Sequence, residues 1–271
     1  MIFLRRPDEI EKIRESSLIV AECIDLVEEA LRPGMTTAEI DRIVESHIRA
    51  RGGTPSFLGY HGYPASVCVS INAEVVHGIP SRERRIEDGD IVGVDIGCYK
   101  DGYHGDGART FAVGDVGEQA LKLMDVAREA LLLGIEAAEP GRRVGDISSA
   151  IQTFVESHGF SVVRDLVGHG VGAALHEEPQ VPNYGPPNVG PTLREGMVLA
   201  LEPMVNAGGF DVVTLNDGWT VVTQDGSPSA HFENTLVVNE DGPEVLTVRP
   251  RFESFQEEVE RARAEARART G

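Results

Sequence analysis

A pattern of helix, Pro-Gly turn and helix occurs twice in this chain, with the second copy 107 positions after the first. Two amphipathic stretches are separated by Pro33-Gly34 in the first copy and by Pro140-Gly141 in the second. The apolar residues of each stretch recur at helical spacing. Such an internal repeat predicts two matching halves that pack about a pseudo-two-fold axis, with a site between them.

Strand patterns follow the first pair of predicted helices and recur after the second. Residues 91–98 and 103–113 are rich in β-branched and aromatic side chains and are joined by a short turn, so they predict a hairpin. The expected fold class is α+β, with duplicated helix-helix-strand halves around a mostly antiparallel curved sheet. We expect a single domain over residues 1–250, with halves at about 1–115 and 116–250.

Residues 251–271 differ from the rest of the chain. They contain five Arg and five Glu, and Glu257/Arg261 and Glu265/Arg269 stand at helical i,i+4 spacing. This pattern predicts a charged, solvated helical tail, to which we assign no chemistry.

The composition excludes several classes of protein. The chain has 25 Lys and Arg against 44 Asp and Glu, a formal charge of −19, which disfavours stable binding to nucleic acid. No apolar stretch is long enough for a membrane span, and the N-terminus turns polar too early for a signal peptide. The three cysteines, Cys23, Cys68 and Cys98, are too few for a disulfide framework and indicate a reducing, cytoplasmic setting.

Two aspartates of the predicted hairpin share one face of it. A two-residue turn at Asp101-Gly102 places Asp106 opposite Gly97, whereas a turn one residue earlier pairs Asp95 with Asp106 directly. Side chains alternate between faces, so both registers put Asp95 and Asp106 on the same side. Two carboxylates so close repel each other unless a proton or a cation lies between them. A shared metal explains the pair better than two solvated surface charges.

Three further residues have metal-ligating chemistry in an apolar setting. His169 lies in the glycine-rich loop Gly168-His169-Gly170, Glu202 ends an apolar strand and Glu233 begins another. The prolines that follow the loop rule out the long helix of a dinucleotide fingerprint. Four carboxylates and one imidazole suit a pair of divalent ions of the Mn, Fe, Co or Zn kind and not a structural zinc site, which favours cysteine.

The chain resembles the type I methionine aminopeptidases, a family of the pita-bread fold that also includes creatinase and the proline-specific aminopeptidases. The resemblance runs from about Ile2 to Val248. It rests on segments that occur in order along the chain, namely Gly59-Tyr60-His61-Gly62-Tyr63-Pro64, Ser66-Val67-Cys68, Val76-His77-Gly78-Ile79-Pro80, Gly102-Tyr103-His104-Gly105-Asp106, Gly168-His169-Gly170, His176-Glu177-Glu178-Pro179 and Glu202-Pro203-Met204-Val205-Asn206.

The resemblance implies a site with two divalent metal ions. Asp95 would hold one ion, His169 and Glu202 the other, and Asp106 and Glu233 would bridge both. A hydroxide bridging the ions would attack the first peptide carbonyl, with Glu202 as general base and proton shuttle to the leaving amine.

The resemblance also implies a substrate site. His77 and His176 would contact the scissile amide and the developing oxyanion. The methionine pocket would have apolar and aromatic walls, which suit an unbranched thioether, and would comprise Phe57, Tyr60, Tyr63, Cys68, Leu175 and Trp219. The chain departs from the usual family pattern at Gly97 and Gly107, where threonine is frequent, and at Leu175, where an aromatic residue is frequent.

The implied function is the removal of the initiator methionine from nascent polypeptide N-termini, with preference for a small second residue. We expect a monomer without membrane binding, and a transient ribosome contact stays open. One alternative is a proline-specific aminopeptidase of the same fold, against which stand the short chain and the segment around Tyr60. Another is a catalytically inactive pita-bread protein that binds partners, although such proteins lose ligands that are present here.

Overall fold

The computed structural model describes residues 1–270. The helices are α1 (Pro7–Ala30), α2 (Thr37–Ala50), α3 (Glu118–Glu136), α4 (Val144–Ser157) and α5 (Phe255–Thr270), and Tyr60–Gly62 form a short 3-10 helix. The strands are β1 (Thr54–Pro55), β2 (Cys68–Ile71), β3 (Glu74–Val76), β4 (Ile91–Lys100), β5 (Tyr103–Ala112), β6 (Ser161–Val162), β7 (Gly168–Gly170), β8 (Glu177–Val181), β9 (Val198–Leu201), β10 (Met204–Asn206), β11 (Val212–Thr214), β12 (Val221–Thr223), β13 (Ser229–His231), β14 (Asn234–Asn239) and β15 (Gly242–Val245).

The strands form small antiparallel sheets that belong mainly to one half or the other. In the first half, β4 pairs with β1, β2 and β5. In the second half, the order is β15-β14-β9-β7-β8. The sheet β11-β12-β3 joins strands of both halves. The predicted α+β class with mostly antiparallel pairing is confirmed.

The predicted duplication is confirmed by hydrogen bonds that recur 107 positions apart. The Gly34 amide donates to the Ile86 carbonyl at 2.8 Å, and the Gly141 amide donates to the Leu193 carbonyl at 2.9 Å. Helices α2 and α4 are both 14 residues long and begin at the same repeat position. The repeat is therefore one of backbone geometry as well as of sequence pattern.

A carboxylate caps the second helix of each half. At the start of α2, the Thr36 amide donates to the Glu39 side chain at 2.8 Å, as the Thr-x-x-Glu pattern predicts. At the start of α4, the Arg143 amide donates to the Asp146 side chain at the same distance. Each carboxylate satisfies an amide that the helix itself leaves unpaired and lies where the helix dipole favours negative charge.

Each half encloses its own apolar core. In the first half, α1 and α2 pack on the sheet around β4, with Ile24, Val44 and Val94 buried between them. In the second half, α3 and α4 pack on β9 and β14 through residues such as Leu131 and Ile151. Among residues 1–270, no helix is long and apolar enough to cross a membrane.

The terminal helix α5 is less solvated than its charge pattern predicts. Phe255 and Val259 are 2% exposed and join the apolar core of the second half. Glu258, on the same face, is 6% exposed. Only the opposite face, with residues such as Glu257 and Arg261, is in contact with solvent. The expectation of a solvated tail was therefore wrong for one face of the helix.

Candidate metal centre and substrate cavity

A cavity of about 310 Å³ opens between the two halves. Its walls include all thirteen residues that the sequence singles out as site candidates, together with His61. The lining residues are Phe57, Tyr60, His61, Tyr63, Cys68, His77, Asp95, Asp106, His169, Leu175, His176, Glu202, Trp219 and Glu233. Residues from many separate positions in the chain thus meet in one place.

The hairpin register places the two aspartates on one face. Strands β4 and β5 pair with Gly97 opposite Asp106 and with Asp95 opposite Ala108. This is the first of the two registers considered from the sequence, with the turn at Asp101-Gly102. Both aspartates line the cavity, so the predicted shared face is confirmed.

Three candidate ligands form a compact buried group. Asp106, His169 and Glu233 each offer a ligand atom, and these atoms lie within 4.8 Å of one another. Their residues are only 3%, 7% and 2% exposed. Strand β5 positions Asp106, β7 positions His169, and Glu233 directly precedes β14. An antiparallel backbone pair between Glu233 and Ala108 joins β5 to this segment.

The other two candidate ligands border this group. The Glu202 Oε1 atom lies 3.4 Å from the His169 Nε2 atom. Glu202 follows directly after β9, which pairs with both β7 and β14, so its position relative to His169 and Glu233 is fixed by the sheet. Asp95 is half-buried on β4 and lines the same cavity.

Burial raises the pKa values of all four carboxylates, and for three of them a neighbouring carboxylate adds to the shift. Burial raises the pKa of Asp95 to about 7. Burial, and then the charges of Asp95 and Glu202, raise the pKa of Asp106 well above its usual range. Burial and neighbouring carboxylates likewise raise the pKa values of Glu202 and Glu233. Without a cation or bound protons, this concentration of negative charge is unfavourable.

The hydrogen-bonding pattern of the group fits a bound cation. Asp95 Oδ1 and Glu233 Oε1 are buried and lack a hydrogen-bond partner among the described residues. The His169 Nδ1 atom is 2.9 Å from the Gly170 carbonyl oxygen, so it must be the donor. Burial lowers the pKa of His169 to about 3, so its Nε2 atom carries a lone pair, which points at Glu202. Acceptors that face one another in this way are the arrangement of metal ligands.

Two further histidines, His77 and His176, line the cavity. His77 has a positive φ of 61°, and burial lowers its pKa to about 4. The Tyr60 hydroxyl and the His176 Nδ1 atom are 2.7 Å apart. The His176 ring lies 4.3 Å from the His169 ring, centroid to centroid. Burial also lowers the pKa of His176, so the His77 and His176 rings are both neutral at pH 7.

The far end of the cavity is apolar. Phe57, Tyr63, Cys68 and Leu175 form a buried cluster, against which Trp219 packs. The Tyr63 and Trp219 rings meet edge to face at 5.1 Å, and the Tyr63 hydroxyl donates to the Gly78 carbonyl at 3.0 Å. The Tyr63 hydroxyl is thereby paired with the backbone, and its ring contributes an apolar surface to the cavity.

The glycine at position 97 follows from this packing. A Cβ atom at Gly97 would lie 2.7 Å from the Phe57 ring and 2.8 Å from the Ser56 Cβ atom. A threonine, which is frequent there in the resembled family, would displace Phe57 from the pocket wall. Gly97 therefore leaves the space that the Phe57 and Ser56 side chains occupy in this chain.

Two histidines near the site are not among the predicted site residues. His61 lines the cavity and packs edge to face on Tyr60 at 4.4 Å. His231 is 4% exposed, and its Nε2 atom lies 3.8 Å from the Glu202 Oε2 atom without a hydrogen-bond partner among the described residues. The sequence does contain a signal for His231, which stands two positions before Glu233. In an extended segment, residues two apart point to the same side.

Comparison with known proteins identifies the relatives of this chain. The model of metallopeptidase family M24 matches residues 11–240. The methionine aminopeptidase of Clostridium acetobutylicum is 52% identical over 248 residues, which cover 92% of this chain and 99% of that protein.

Solved structures give the same grouping. The crystal structure of methionine aminopeptidase from Thermotoga maritima matches with a TM-score of 0.90 and 47% identity, over 91% of this chain and 99% of that one. The prolidase from Pyrococcus furiosus is more distant, with a TM-score of 0.71 and 25% identity over 90% of this chain and 65% of its own.

Proposed function

The chain belongs to metallopeptidase family M24, and we propose that it is a methionine aminopeptidase that removes the initiator methionine from nascent polypeptides with a small second residue. The observation that carries this proposal is an apolar pocket directly beside a buried carboxylate and histidine cluster. A methionine side chain fits the apolar end, because its unbranched thioether packs well against aromatic walls. The first peptide bond then lies at the cluster.

Asp95, Asp106, His169, Glu202 and Glu233 would hold two divalent ions of the Mn, Fe, Co or Zn kind, with Asp106 and Glu233 shared between them. The unpaired buried oxygens and the mixed carboxylate and imidazole donors support this assignment. When bound, such ions acidify water and polarise the peptide carbonyl.

Glu202 is the proton carrier of the proposed reaction. It lies between two neutral histidines, His169 and His231, and burial keeps its pKa well above the usual range. A carboxyl group of raised pKa can accept a proton from the attacking water and hold it near neutral pH, and then deliver it to the leaving amine.

His77 and His176 orient the scissile bond. When Tyr60 donates its hydroxyl proton to His176 Nδ1, the neutral ring carries its own proton on Nε2. That proton can be donated to the developing oxyanion. The His77 ring packs against Trp219, and in the proposed complex His77 contacts the scissile amide.

A peptide assay with the metal-reconstituted protein tests this function. We expect methionine release from Met-Ala-Ser, and much slower release from Met-Leu-Ser because the larger second residue fits poorly. Ala-Pro-Ser, the substrate type of proline-specific relatives, should stay intact. Cleavage of Ala-Pro-Ser alone would overturn the proposal, and so would the absence of any cleavage after reconstitution with each of the four metals.

The remaining expectations belong to the same proposal. Residues 1–250 would form the catalytic domain, with the helix of residues 251–271 appended. A cytoplasmic location is supported by three free, buried cysteines. A monomeric state and a transient ribosome contact stay predictions from the family resemblance.

A further inference from the structure

Helix α5 reaches the metal centre through one buried arginine. The family match ends at residue 240, so α5 lies beyond it. Arg109, on β5 three residues after Asp106, is 1% exposed. Its guanidinium forms a two-pronged ion pair with Glu258 of α5, with Nε to Oε1 at 2.8 Å and Nη2 to Oε2 at 3.1 Å. Such paired geometry fixes both side chains.

The same guanidinium holds the backbone of a candidate metal ligand. Arg109 Nη1 donates to the Glu233 carbonyl at 2.6 Å, and Nη2 donates to the Asn234 side-chain oxygen at 3.0 Å. The Glu233 amide donates to the Ala108 carbonyl at 2.9 Å. Arg109 therefore connects β5, which carries Asp106, to the residue that starts β14.

Helix α5 supplies the carboxylate that compensates the charge of Arg109. Among residues 1–270, Glu258 supplies the carboxylate that lies within ion-pair distance of the Arg109 guanidinium. The second partner of Glu258, Arg249, also pairs with Asp25 and Glu28, so it does not depend on Glu258 alone. Removing the Glu258 charge would leave the buried Arg109 guanidinium without a carboxylate at ion-pair distance among residues 1–270, beside the carboxylate cluster.

We propose that α5 is a positioning element of the metal centre, acting through Glu258 and Arg109 on Glu233. The proposal rests on the proposed role of Glu233 as a ligand. Glu258 has two effects. It fixes the guanidinium that holds the Glu233 backbone, and it offsets a positive charge that would otherwise repel divalent ions. Neither effect requires α5 to contact the substrate.

Manganese binding to the apoprotein tests the proposal. Full-length wild type, Glu258→Gln and the matched control Glu260→Gln are stripped with a chelator and titrated with Mn²⁺ by calorimetry. Glu260 is exposed on the same helix, and its carboxylate meets only Gln256 among the contacts described. We expect Glu258→Gln to raise the Mn²⁺ Kd roughly ten- to a hundredfold, the range for residues that support metal ligands. Glu260→Gln should leave the Kd unchanged.

Turnover separates positioning from loss of structure. In Glu258→Gln, we expect a lower kcat at limiting Mn²⁺, recovery at saturating Mn²⁺ and an unchanged KM for Met-Ala-Ser, because the pocket is not altered. Glu258→Asp, which keeps the charge, should restore most of the affinity and is the fallback if Glu258→Gln does not fold. A wild-type Kd in Glu258→Gln would overturn the proposal, and so would a Glu258→Asp Kd that is raised a hundredfold although the charge is kept. Failure of wild type to release methionine would instead refute the proposed function.

Discussion

The two halves of the molecule share a backbone but differ in what they contribute to the site. Asp95 and Glu202 stand 107 positions apart and thus occupy the same place in the repeat. Their neighbouring strands also correspond, because Gly93 pairs with Ser70 and Ala200 pairs with His169. The first half therefore has a serine where the second half has the candidate imidazole ligand.

This difference shows how a duplicated scaffold produces an asymmetric site. Equivalent strands bring a carboxylate from each half to the same cavity, so neither half contains all the candidate ligands. The replacement of one residue, serine against histidine, makes one side of the site all-oxygen and gives the other side a nitrogen donor. The first half also supplies most of the apolar wall, including Phe57, Tyr63 and Cys68.

The largest expected effect follows from removing, from either half, one of the two carboxylates that we propose to bridge the ions. Asp106→Ala in the first half and Glu233→Ala in the second should each lower metal affinity more than a hundredfold, beyond the range for supporting residues, and abolish turnover. Metal content after dialysis and methionine release are the measurements. Glu240→Ala, at an exposed position after β14, is the control. Full activity in either variant would contradict the bridging assignment and the need for a carboxylate from each half.

Two histidines that line the cavity, His77 from the first half and His176 from the second, should have the next largest effect. His77→Asn and His176→Asn should each lower kcat by about 10²–10³, the range for loss of a donor to the transition state. KM for Met-Ala-Ser should change little, because the apolar pocket stays intact. Steady-state kinetics with the exposed His158→Asn as control measure this. A rise in KM without a fall in kcat would assign the histidines to binding and not to the reaction.

Local sequence patterns predicted the carboxylate and imidazole part of the cavity, and the family resemblance predicted the rest. Asp95 and Asp106 could be placed on one face from the alternation of a hairpin, and the strand-end positions of Glu202 and Glu233 came from apolar runs beside them. The methionine pocket came only from the family resemblance. Structure was needed to show that these segments meet, because no local pattern encodes which strand ends lie together.

The parts that were missed depend on contacts between distant residues. Glu258 reads as one more surface charge in a helix rich in Glu and Arg, since its partner Arg109 is 149 positions away. His231 ends the short strand β13, and its neighbour Glu202 lies in the segment between β9 and β10. In both cases a polar side chain is buried because a second chain segment covers it, which periodicity does not reveal.

Metal removal should have a pH-dependent effect that reflects carboxylates from both halves. In the apoprotein, burial raises the Asp95 pKa from 3.8 to about 7, and the other three carboxylates also shift upward. A raised carboxyl pKa contributes stability that is present below the unfolded value and is lost as pH rises through the folded value. The apoprotein should therefore have a lower Tm at pH 8.5 than at pH 7.

Bound metal should cancel this loss, because the ions offset the ionised carboxylates and their binding releases protons. For each proton that binding releases, the metal affinity rises about tenfold per unit increase in pH. Calorimetric unfolding with and without Mn²⁺ at both pH values is the measurement. The gain in Tm on adding Mn²⁺ should be larger at pH 8.5, and Asp95→Asn should reduce the difference. An apoprotein that is more stable at pH 8.5 would contradict the shared-charge description.

The smallest effect tests whether the two halves are equivalent away from the site. Gly34 and Gly141 close the corresponding helix turns with φ values of 86° and 87°, and a Cβ at either would meet no atom within 4 Å. The cost of alanine is then purely that of the left-handed backbone, about 1–2 kcal/mol. Gly34→Ala and Gly141→Ala should lower the free energy of unfolding equally in urea and leave kcat/KM unchanged. A clearly unequal cost would show that one half tolerates distortion that the other does not, even though their hydrogen bonds match.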